Sequence, residues 1–160
     1  MPEGGYGSHR PALKALARFT KIHSVIEFGA GFSTQMFLDR KAFPDLTSLV
    51  TFEHSQKWAD GVKTGDARHK FIVVPSEEFA AASQGMHADF VFVDSGPTIT
   101  HRFKLLPHAL KLAPILAIHD CTARDVRGQK VECVHIKEFN RNIQTVFVSD
   151  TVDLSGLELE

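Results

Sequence analysis

The feature that most constrains the fold is a fivefold alternation of short apolar runs with segments of helical spacing. The runs are strand-sized and rich in Val, Ile and Phe: Ser24–Phe28, Ser48–Glu53, Lys70–Val74, Asp89–Val93 and Pro114–Ile118. Runs that are apolar on both faces are typical of buried parallel strands, which need helical crossovers. The alternation therefore predicts an α/β fold, a doubly wound sheet between two layers of helices.

The alternation stops after the fifth run. Gln144–Ser149 and Val152–Glu160 are both predicted as strands that pair as a hairpin, which places an antiparallel strand at or near one sheet edge. Val131–Ile136 also alternates like a strand, and its assignment stays open at this point. The chain is predicted as one domain, 1–160, in which 1–23 form a Gly-rich arm and a helix capped by Ser8, and 24–160 form the core.

Composition excludes several classes of function. Eighteen Lys and Arg against nineteen Asp and Glu give a formal net charge of -1, so a broad cationic surface for nucleic acid is not indicated. No apolar run approaches the ~20 residues of a membrane helix, and no membrane association is expected. The two cysteines are too few for a disulfide framework, which favours the cytoplasm as the location.

The strongest local signal is the segment Glu27-Phe28-Gly29-Ala30-Gly31-Phe32-Ser33-Thr34, between a buried strand and a helix. Two glycines there allow a sharp turn and a close approach of backbone to a ligand. The nucleotide pattern G-x-G-x-x-G is incomplete, because Thr34 stands at its last position. Glu27 would repel a pyrophosphate and attract a cationic amino group. The alternative is that Gly29 and Gly31 simply make a tight turn and have no ligand-binding role.

A second acid, Glu53, ends the second predicted strand, 22 residues after Gly31. A carboxylate at that place can accept hydrogen bonds from two ribose hydroxyls. The chain thus offers an acid for an ammonium, glycines for close approach and an acid for a ribose. These are the needs of S-adenosylmethionine, which has an amino-acid end, a ribose and no phosphate.

On these segments, with Phe90–Asp94 and Ile118–Asp120, the chain resembles the class I S-adenosylmethionine-dependent methyltransferases over about Ser24 to Glu160. The resemblance implies a Rossmann-like fold, with a mostly parallel seven-stranded sheet and one antiparallel strand near the C-terminus. It implies methyl transfer as the activity and S-adenosylmethionine as the cofactor. The cofactor-binding residues it implies are Glu27, Gly29, Gly31, Ser33, Glu53, His54, Ser76, Glu77 and Asp94.

The catalytic candidates are Asp94, His119 and Asp120, at the ends of two adjacent predicted strands. In the catechol O-methyltransferase-like branch of the family, two such acids and a following Asn bind a divalent metal. Here Cys121 replaces the Asn, and a hard ion prefers oxygen to a thiol, so a metal is not favoured. The alternative is general-base catalysis on a hydroxyl or amine of the acceptor, for which His119, Asp94 and His101 are the candidates.

Several alternatives stay open. An NAD-dependent oxidoreductase would share the glycine turn and Glu53, and a degenerate cofactor-binding domain would act through a partner. Asp94 and Asp120 are equally suited to capping helices. His9 and most other histidines, Trp58 and both cysteines are expected to be structural. The methyl acceptor is unidentified, and a homodimer is one way to supply a missing wall of the site.

Overall fold

The structure, a computed structural model, describes residues 7–62, 64–96, 98–129, 131, 133–139 and 143–159. Most of the predicted arm, 1–6, lies outside the described residues. The seven strands are β1 Ser24–Phe28, β2 Ser48–Glu53, β3 His69–Val73, β4 Phe90–Val93, β5 Ile115–His119, β6 His135–Phe139 and β7 Thr145–Ser149. The helices are α1 Arg10–Phe19, α2 Phe32–Leu38, α3 Gln56–Val62, α4 Phe79–Ala82, α5 Ile99–Ala109 and α6 Ala123–Arg127, with a 3-10 turn at Ser76–Glu78.

The strands form one sheet in the order β3-β2-β1-β4-β5-β7-β6. The first five strands are mutually parallel, whereas β7 runs antiparallel to both β5 and β6. The predicted seven-stranded, mostly parallel sheet is therefore confirmed. The strand order reverses between β1 and β4, and in open α/β sheets ligands bind in the crevice at the carboxyl ends of such strands.

The core lies on both faces of the sheet, because side chains alternate between faces along each strand. On one face, Leu13 and Leu16 of α1 pack with Phe37 of α2 and with Phe90 and Phe92 of β4. The other face includes Ile26, Phe28, Val91 and Val93, covered by Leu105 and Leu106 of α5 and by Phe79. These two layers fix the three-layer architecture, and α1 belongs to the core.

The C-terminal strand prediction was half right. β7 lies within the predicted strand Gln144–Ser149, but the predicted hairpin does not form, because Val152–Leu159 contains no strand and β7 pairs with β5 and β6; Glu160 lies outside the described residues. Ser149 ends β7, since its hydroxyl accepts hydrogen bonds from the backbone N–H groups of Thr151 and Val152 and turns the chain. Leu154 and Leu157 then pack into the core, which explains their apolar pattern.

The prediction that Ser8 caps the first helix was wrong. His9 is the residue before α1, and the Ser8 hydroxyl instead lies 3.0 Å from Nε2 of His119. In the part of the chain that the structure describes, no helix combines the length and the apolarity that a membrane span needs.

Candidate functional site

A cavity of about 560 Å³ opens at the carboxyl ends of the strands, where their order reverses. This volume falls within the range of small-molecule sites, ~300–1,000 Å³. The lining residues come from the ends of β1, β2, β4 and β5, from α3 and α5, and from the start of α1: His9, Gly29, Ala30, Gly31, Phe32, Glu53, His54, Ser55, Trp58, Asp94, Gly96, Arg102, His119 and Asp120.

The lining divides into two walls of different character. The first, here called the glycine wall, consists of 29–31, Glu53 and His54. The second, called the histidine wall, consists of the following ionisable residues: His9, Asp94, Arg102, His119 and Asp120.

The glycine wall begins where β1 turns into α2. Gly29 has φ +95°, and a Cβ there would lie 2.6 Å from the carbonyl oxygen of Asp94 and 2.8 Å from Cα of Ser95. That approach to backbone leaves no room for any side chain, so packing against the end of β4 requires glycine at this position.

Gly31 differs, because a Cβ there would meet only Nε1 of Trp58, at 4.0 Å. The space beside Gly31 belongs to the cavity, so glycine keeps the backbone accessible to a ligand. The hydroxyl of Thr34 accepts a hydrogen bond from the Gly31 N–H, at 3.0 Å, and so caps α2 from inside its first turn. The helix therefore starts at Phe32 with Gly31 as the preceding residue.

Glu53 ends β2 and is buried, yet it lines the cavity. One carboxylate oxygen accepts the Ala30 N–H at 2.9 Å, and the other accepts the N–H groups of His54 and Ser55, both at 2.8 Å. The ring Nδ1 of His54 lies 2.9 Å from that second oxygen. Charge-assisted bonds of this kind hold the glycine turn against the end of β2. Trp58 supports the same turn, since its indole N–H donates to the Ala30 carbonyl.

Glu27 lies in β1 beneath the glycine turn, and the contact with the cofactor expected of it stays a prediction. It is fully buried within β1, outside the cavity lining, and its carboxylate accepts hydrogen bonds from the hydroxyls of Ser33 at 2.5 Å, Thr34 at 2.7 Å and Thr51 at 2.8 Å. Burial raises the pKa of Glu27 to about 7, and the three hydroxyls oppose that shift. Its visible role is to tie β1 to α2 and β2 beneath the glycine turn.

The remaining predicted cofactor contacts are divided between cavity and surroundings. His54 and Asp94 line the cavity, whereas Ser33 is buried on Glu27. Ser76 and Glu77 lie in the 3-10 turn after β3, outside the lining, and stay predictions.

The histidine wall is organised by Arg102 of α5, which sequence reasoning missed. One terminal nitrogen of its guanidinium lies 3.0 Å from Asp94 Oδ1, and the other lies 3.1 Å from Asp120 Oδ2. Arg102 also donates to the backbone carbonyls of Ser95 at 2.8 Å and His119 at 2.7 Å. The two acids at the ends of β4 and β5 therefore hold a guanidinium between them, which disfavours a magnesium ion at the same place.

Electrostatics at this wall combine burial with charge. Burial raises the pKa of Asp94 to about 7, although the Arg102 guanidinium favours the charged form and lowers it. Asp120 is half exposed and has φ +57°, a backbone conformation that non-glycine residues rarely adopt. Strain of this kind clusters at functional sites, and here it accompanies a carboxylate that faces Arg102 and His119.

His119 is buried at the end of β5, and the network around it indicates its tautomer. The Thr145 hydroxyl donates to the carbonyl of Ile143 at 2.9 Å, so it accepts from Nδ1–H of His119, 3.1 Å away. Nε2 therefore carries the lone pair, close to the Ser8 hydroxyl and 3.3 Å from Asp120 Oδ1. Burial lowers the pKa of His119, so the neutral ring predominates at pH 7.

His9 is the second residue that sequence reasoning missed, because it was expected to be structural. Only 1% of it is exposed, and neither ring nitrogen has a hydrogen-bond partner among the described residues. Its ring packs edge-on against His119, with centroids 5.0 Å apart, and against Phe92. Burial lowers the pKa of His9 to about 3. No sequence pattern marks His9 as a cavity residue, because only the folded chain brings its ring against His119 at the end of β5.

Three other residues named in the sequence analysis can now be described. Trp58 is not core, because it lines the cavity beside Gly31. His101 lies outside the lining, with Nδ1 3.0 Å from the Thr98 hydroxyl. Burial raises the pKa of Cys121 to about 12, so this residue is a protonated thiol and no activated nucleophile.

Comparison with known proteins gives structural likeness alone. No family model and no curated protein matches the sequence. Among solved structures, cofactor-bound Rv0187 from MTB has a TM-score of 0.67 at 18% identity, covering 93% of this chain and 83% of the other. The O-methyltransferase TomG from Streptomyces achromogenes, in complex with SAM, has a TM-score of 0.62 at 18% identity, covering 91% and 87%.

The N-methyltransferase NodS from Bradyrhizobium japonicum WM9, in complex with S-adenosyl-L-homocysteine, has a TM-score of 0.58 at 12% identity over 88% of this chain and 83% of its own. The fold is that of the class I S-adenosylmethionine-dependent methyltransferases. Identities this low carry the architecture and leave the chemistry to the residues of the site.

Proposed function

We propose that this protein is an S-adenosylmethionine-dependent methyltransferase and that its cofactor binds against the glycine wall. The observation that carries the proposal is the cavity at the reversal of strand order, where the glycine turn and Glu53 face one ligand space. The methyltransferase neighbours of the same fold support it.

The residues present fit the ribose of an adenosyl group that lies close to the backbone. Gly31 leaves space beside the backbone that its own chain does not fill. Glu53 Oε2 accepts the Ala30 N–H, and a carboxylate oxygen has two lone pairs, so capacity remains for a ribose hydroxyl. The other oxygen, Oε1, already accepts the N–H groups of His54 and Ser55, so Oε2 is the oxygen that is open to the ribose.

When bound, S-adenosylmethionine supplies the transferable methyl group on its sulfonium. Methyl transfer forms a bond from the acceptor to that carbon and breaks the carbon–sulfur bond. The protein's part is to align the acceptor and to receive its proton where it has one. Nε2 of His119 and the carboxylate of Asp120, both on the histidine wall, are the groups suited to that second task, and an oxygen acceptor fits them best.

Titration calorimetry with S-adenosylhomocysteine tests the proposal. We expect one site per chain, no heat with NAD, and an affinity about 10- to 100-fold weaker in Glu53→Gln, the range of one lost hydrogen bond to a charged group. Glu138→Gln, on β6 and outside the cavity, is the matched control and should bind like the unmodified protein. Binding of NAD, or equal affinity in both variants, would contradict the proposal.

A further inference from the structure

The geometry points to a transition-metal site on the histidine wall, formed by His9, His119 and Asp94. One ring nitrogen of each histidine and one carboxylate oxygen of Asp94 all lie within 4.8 Å of one another. Two imidazoles and one carboxylate are a ligand set that suits Zn²⁺ and related divalent transition ions. The inference does not depend on the proposed methyl transfer.

The first support is the state of His9. Its ring is buried, lines the cavity, and has neither nitrogen hydrogen-bonded among the described residues. Buried polar groups nearly always have hydrogen-bond partners, and leaving one unpaired destabilises the folded state. An ion bound between His9 and His119 would give one of these nitrogens its partner.

The second support is the hydrogen bonding of His119, which fixes the tautomer of its ring. Because the Thr145 hydroxyl accepts from Nδ1–H, the lone pair is fixed on Nε2. Histidine ligands of metals usually have this second hydrogen bond, which fixes the ring orientation and tautomer. Nε2 lies 3.0 Å from the Ser8 hydroxyl and 3.3 Å from Asp120 Oδ1, so an ion would replace that hydroxyl as the partner of the lone pair, beside a carboxylate that stabilises a cation.

The third support is the arrangement around Asp94. Arg102 binds this carboxylate through Oδ1, and a carboxylate has capacity for an ion as well as a guanidinium. Arg102 also opposes a second cation, which limits affinity. Two acids, Asp94 and Asp120, lie against that single guanidinium, so the wall has an excess of negative charge when both are ionised.

The site would differ from the metal site that the two strand-end acids first suggested. That site uses oxygens of Asp94 and Asp120, where Arg102 now lies. The nitrogen-rich site needs ligands about 2.0–2.1 Å from zinc, so the three side chains would move inward on binding. With an ion in place, the lone pair of His119 is used, and Asp120 remains as the proton acceptor of this wall.

The test is a titration of the full chain with Co²⁺, followed by its visible ligand-field absorption, and then displacement by Zn²⁺. We expect one Co²⁺ per chain, displacement by Zn²⁺ and none by excess Mg²⁺, which prefers oxygen ligands. X-ray absorption of the zinc form should show nitrogen or oxygen ligands at about 2.0–2.2 Å, with imidazole scattering.

Three variants locate the ion. His9→Phe fills the same niche beside Phe92 and should lose binding while retaining the far-ultraviolet circular dichroism of the folded chain. Thr145→Val removes the partner of Nδ1 together with the hydrogen bond from Thr145 to the Ile143 carbonyl, and should weaken binding about 10- to 100-fold. His135→Gln, on β6 and outside the cavity, should bind Co²⁺ unchanged.

Three results would overturn the inference. The first is a folded wild-type protein with no visible band in excess Co²⁺. The second is a His9→Phe variant that binds with unchanged affinity, which would place the ion elsewhere. The third is displacement of Co²⁺ by Mg²⁺, which would indicate an oxygen site instead.

Discussion

The two walls of the cavity are held by different forces. On the glycine wall, the Glu53 carboxylate accepts hydrogen bonds from the backbone N–H groups of Ala30, His54 and Ser55. The wall therefore presents an ordered backbone to the cavity. On the histidine wall, one guanidinium holds two acids from neighbouring strands. The first wall is suited to positioning a ligand by shape and hydrogen bonds. The second concentrates charge and lone pairs, which suits proton transfer or ion binding.

The largest effect on either wall is expected from Gly29→Ala. The new Cβ meets backbone of Asp94 and Ser95 at 2.6–2.8 Å, and φ +95° adds strain, so the glycine wall would separate from β4. We expect a loss of about 3–5 kcal/mol in the free energy of unfolding. Urea denaturation followed by circular dichroism measures this loss. A loss below about 1 kcal/mol, no larger than surface substitutions commonly cause, would contradict the account.

The substitution Arg102→Gln tests the histidine wall. It leaves Asp94 and Asp120 facing each other without their shared cation, and we expect a loss of about 3 kcal/mol at pH 8. Arg102→Lys keeps the charge but not the planar fork, so it should recover only part of that loss. Denaturation curves of both variants at one pH give the difference. Equal stability of Arg102→Gln and the unmodified protein would show that the guanidinium does not hold this wall.

Glu27, beneath the glycine wall, makes the stability of this wall depend on pH. Burial raises the pKa of Glu27 from its ordinary value of 4.5 to about 7, so the folded state holds a proton that the unfolded state releases. Its contribution to stability is fully present below about pH 4.5 and is lost as pH rises through about 7. The stability of the unmodified protein relative to Glu27→Gln should therefore fall between pH 5 and 8, by on the order of 2 kcal/mol.

Denaturation at several pH values, with the two proteins measured together, gives that difference. Asp94 titrates in both proteins, and its charge also raises the pKa of Glu27, so the difference includes the repulsion between these two acids. A relative stability that rises with pH would mean that the three hydroxyls, and not burial, dominate at Glu27.

The smallest effect on stability is expected from Gly31→Ala, the matched partner of Gly29→Ala. Its Cβ meets nothing closer than 4.0 Å, so the free energy of unfolding should change by about 1 kcal/mol or less. The methyl group would enter the ligand space, so the affinity for S-adenosylhomocysteine should fall at least tenfold by calorimetry. Unchanged affinity would remove Gly31 from the binding surface.

Much of the fold was predictable, because it depends on local pattern. Each of β1, β2 and β4 is a short apolar run that alternates with helical spacing, and the sheet follows from that alternation. The structure of the C-terminal end was not predictable. Val152–Leu159 has a strand-like composition, but hydrogen bonds to the Ser149 hydroxyl turn the chain just before this segment. Such a turn depends on one hydroxyl that the pattern does not distinguish from others.

The candidate site divides in the same way. Gly29, Gly31 and Glu53 were predictable as cavity residues, because they follow two neighbouring strands closely in sequence. Arg102 and His9 were not predictable as cavity residues. Arg102 lies on α5 and His9 directly precedes α1, and the whole core sets how these two helices pack. Glu27 was predictable as an acid beside the turn, but its burial among three hydroxyls depends on the side chains of α2 and β2.

The most direct test of the central claim, that the cofactor binds on the glycine wall, is a map of amide shifts by two-dimensional ¹⁵N nuclear magnetic resonance during addition of S-adenosylhomocysteine. The account predicts saturable shifts of the Gly29, Ala30, Gly31 and His54 amides, whose positions line the cavity. The amides of β6, at the far edge of the sheet, should not move. Saturable shifts confined to residues outside the cavity, or no shifts in the folded protein, would contradict the account.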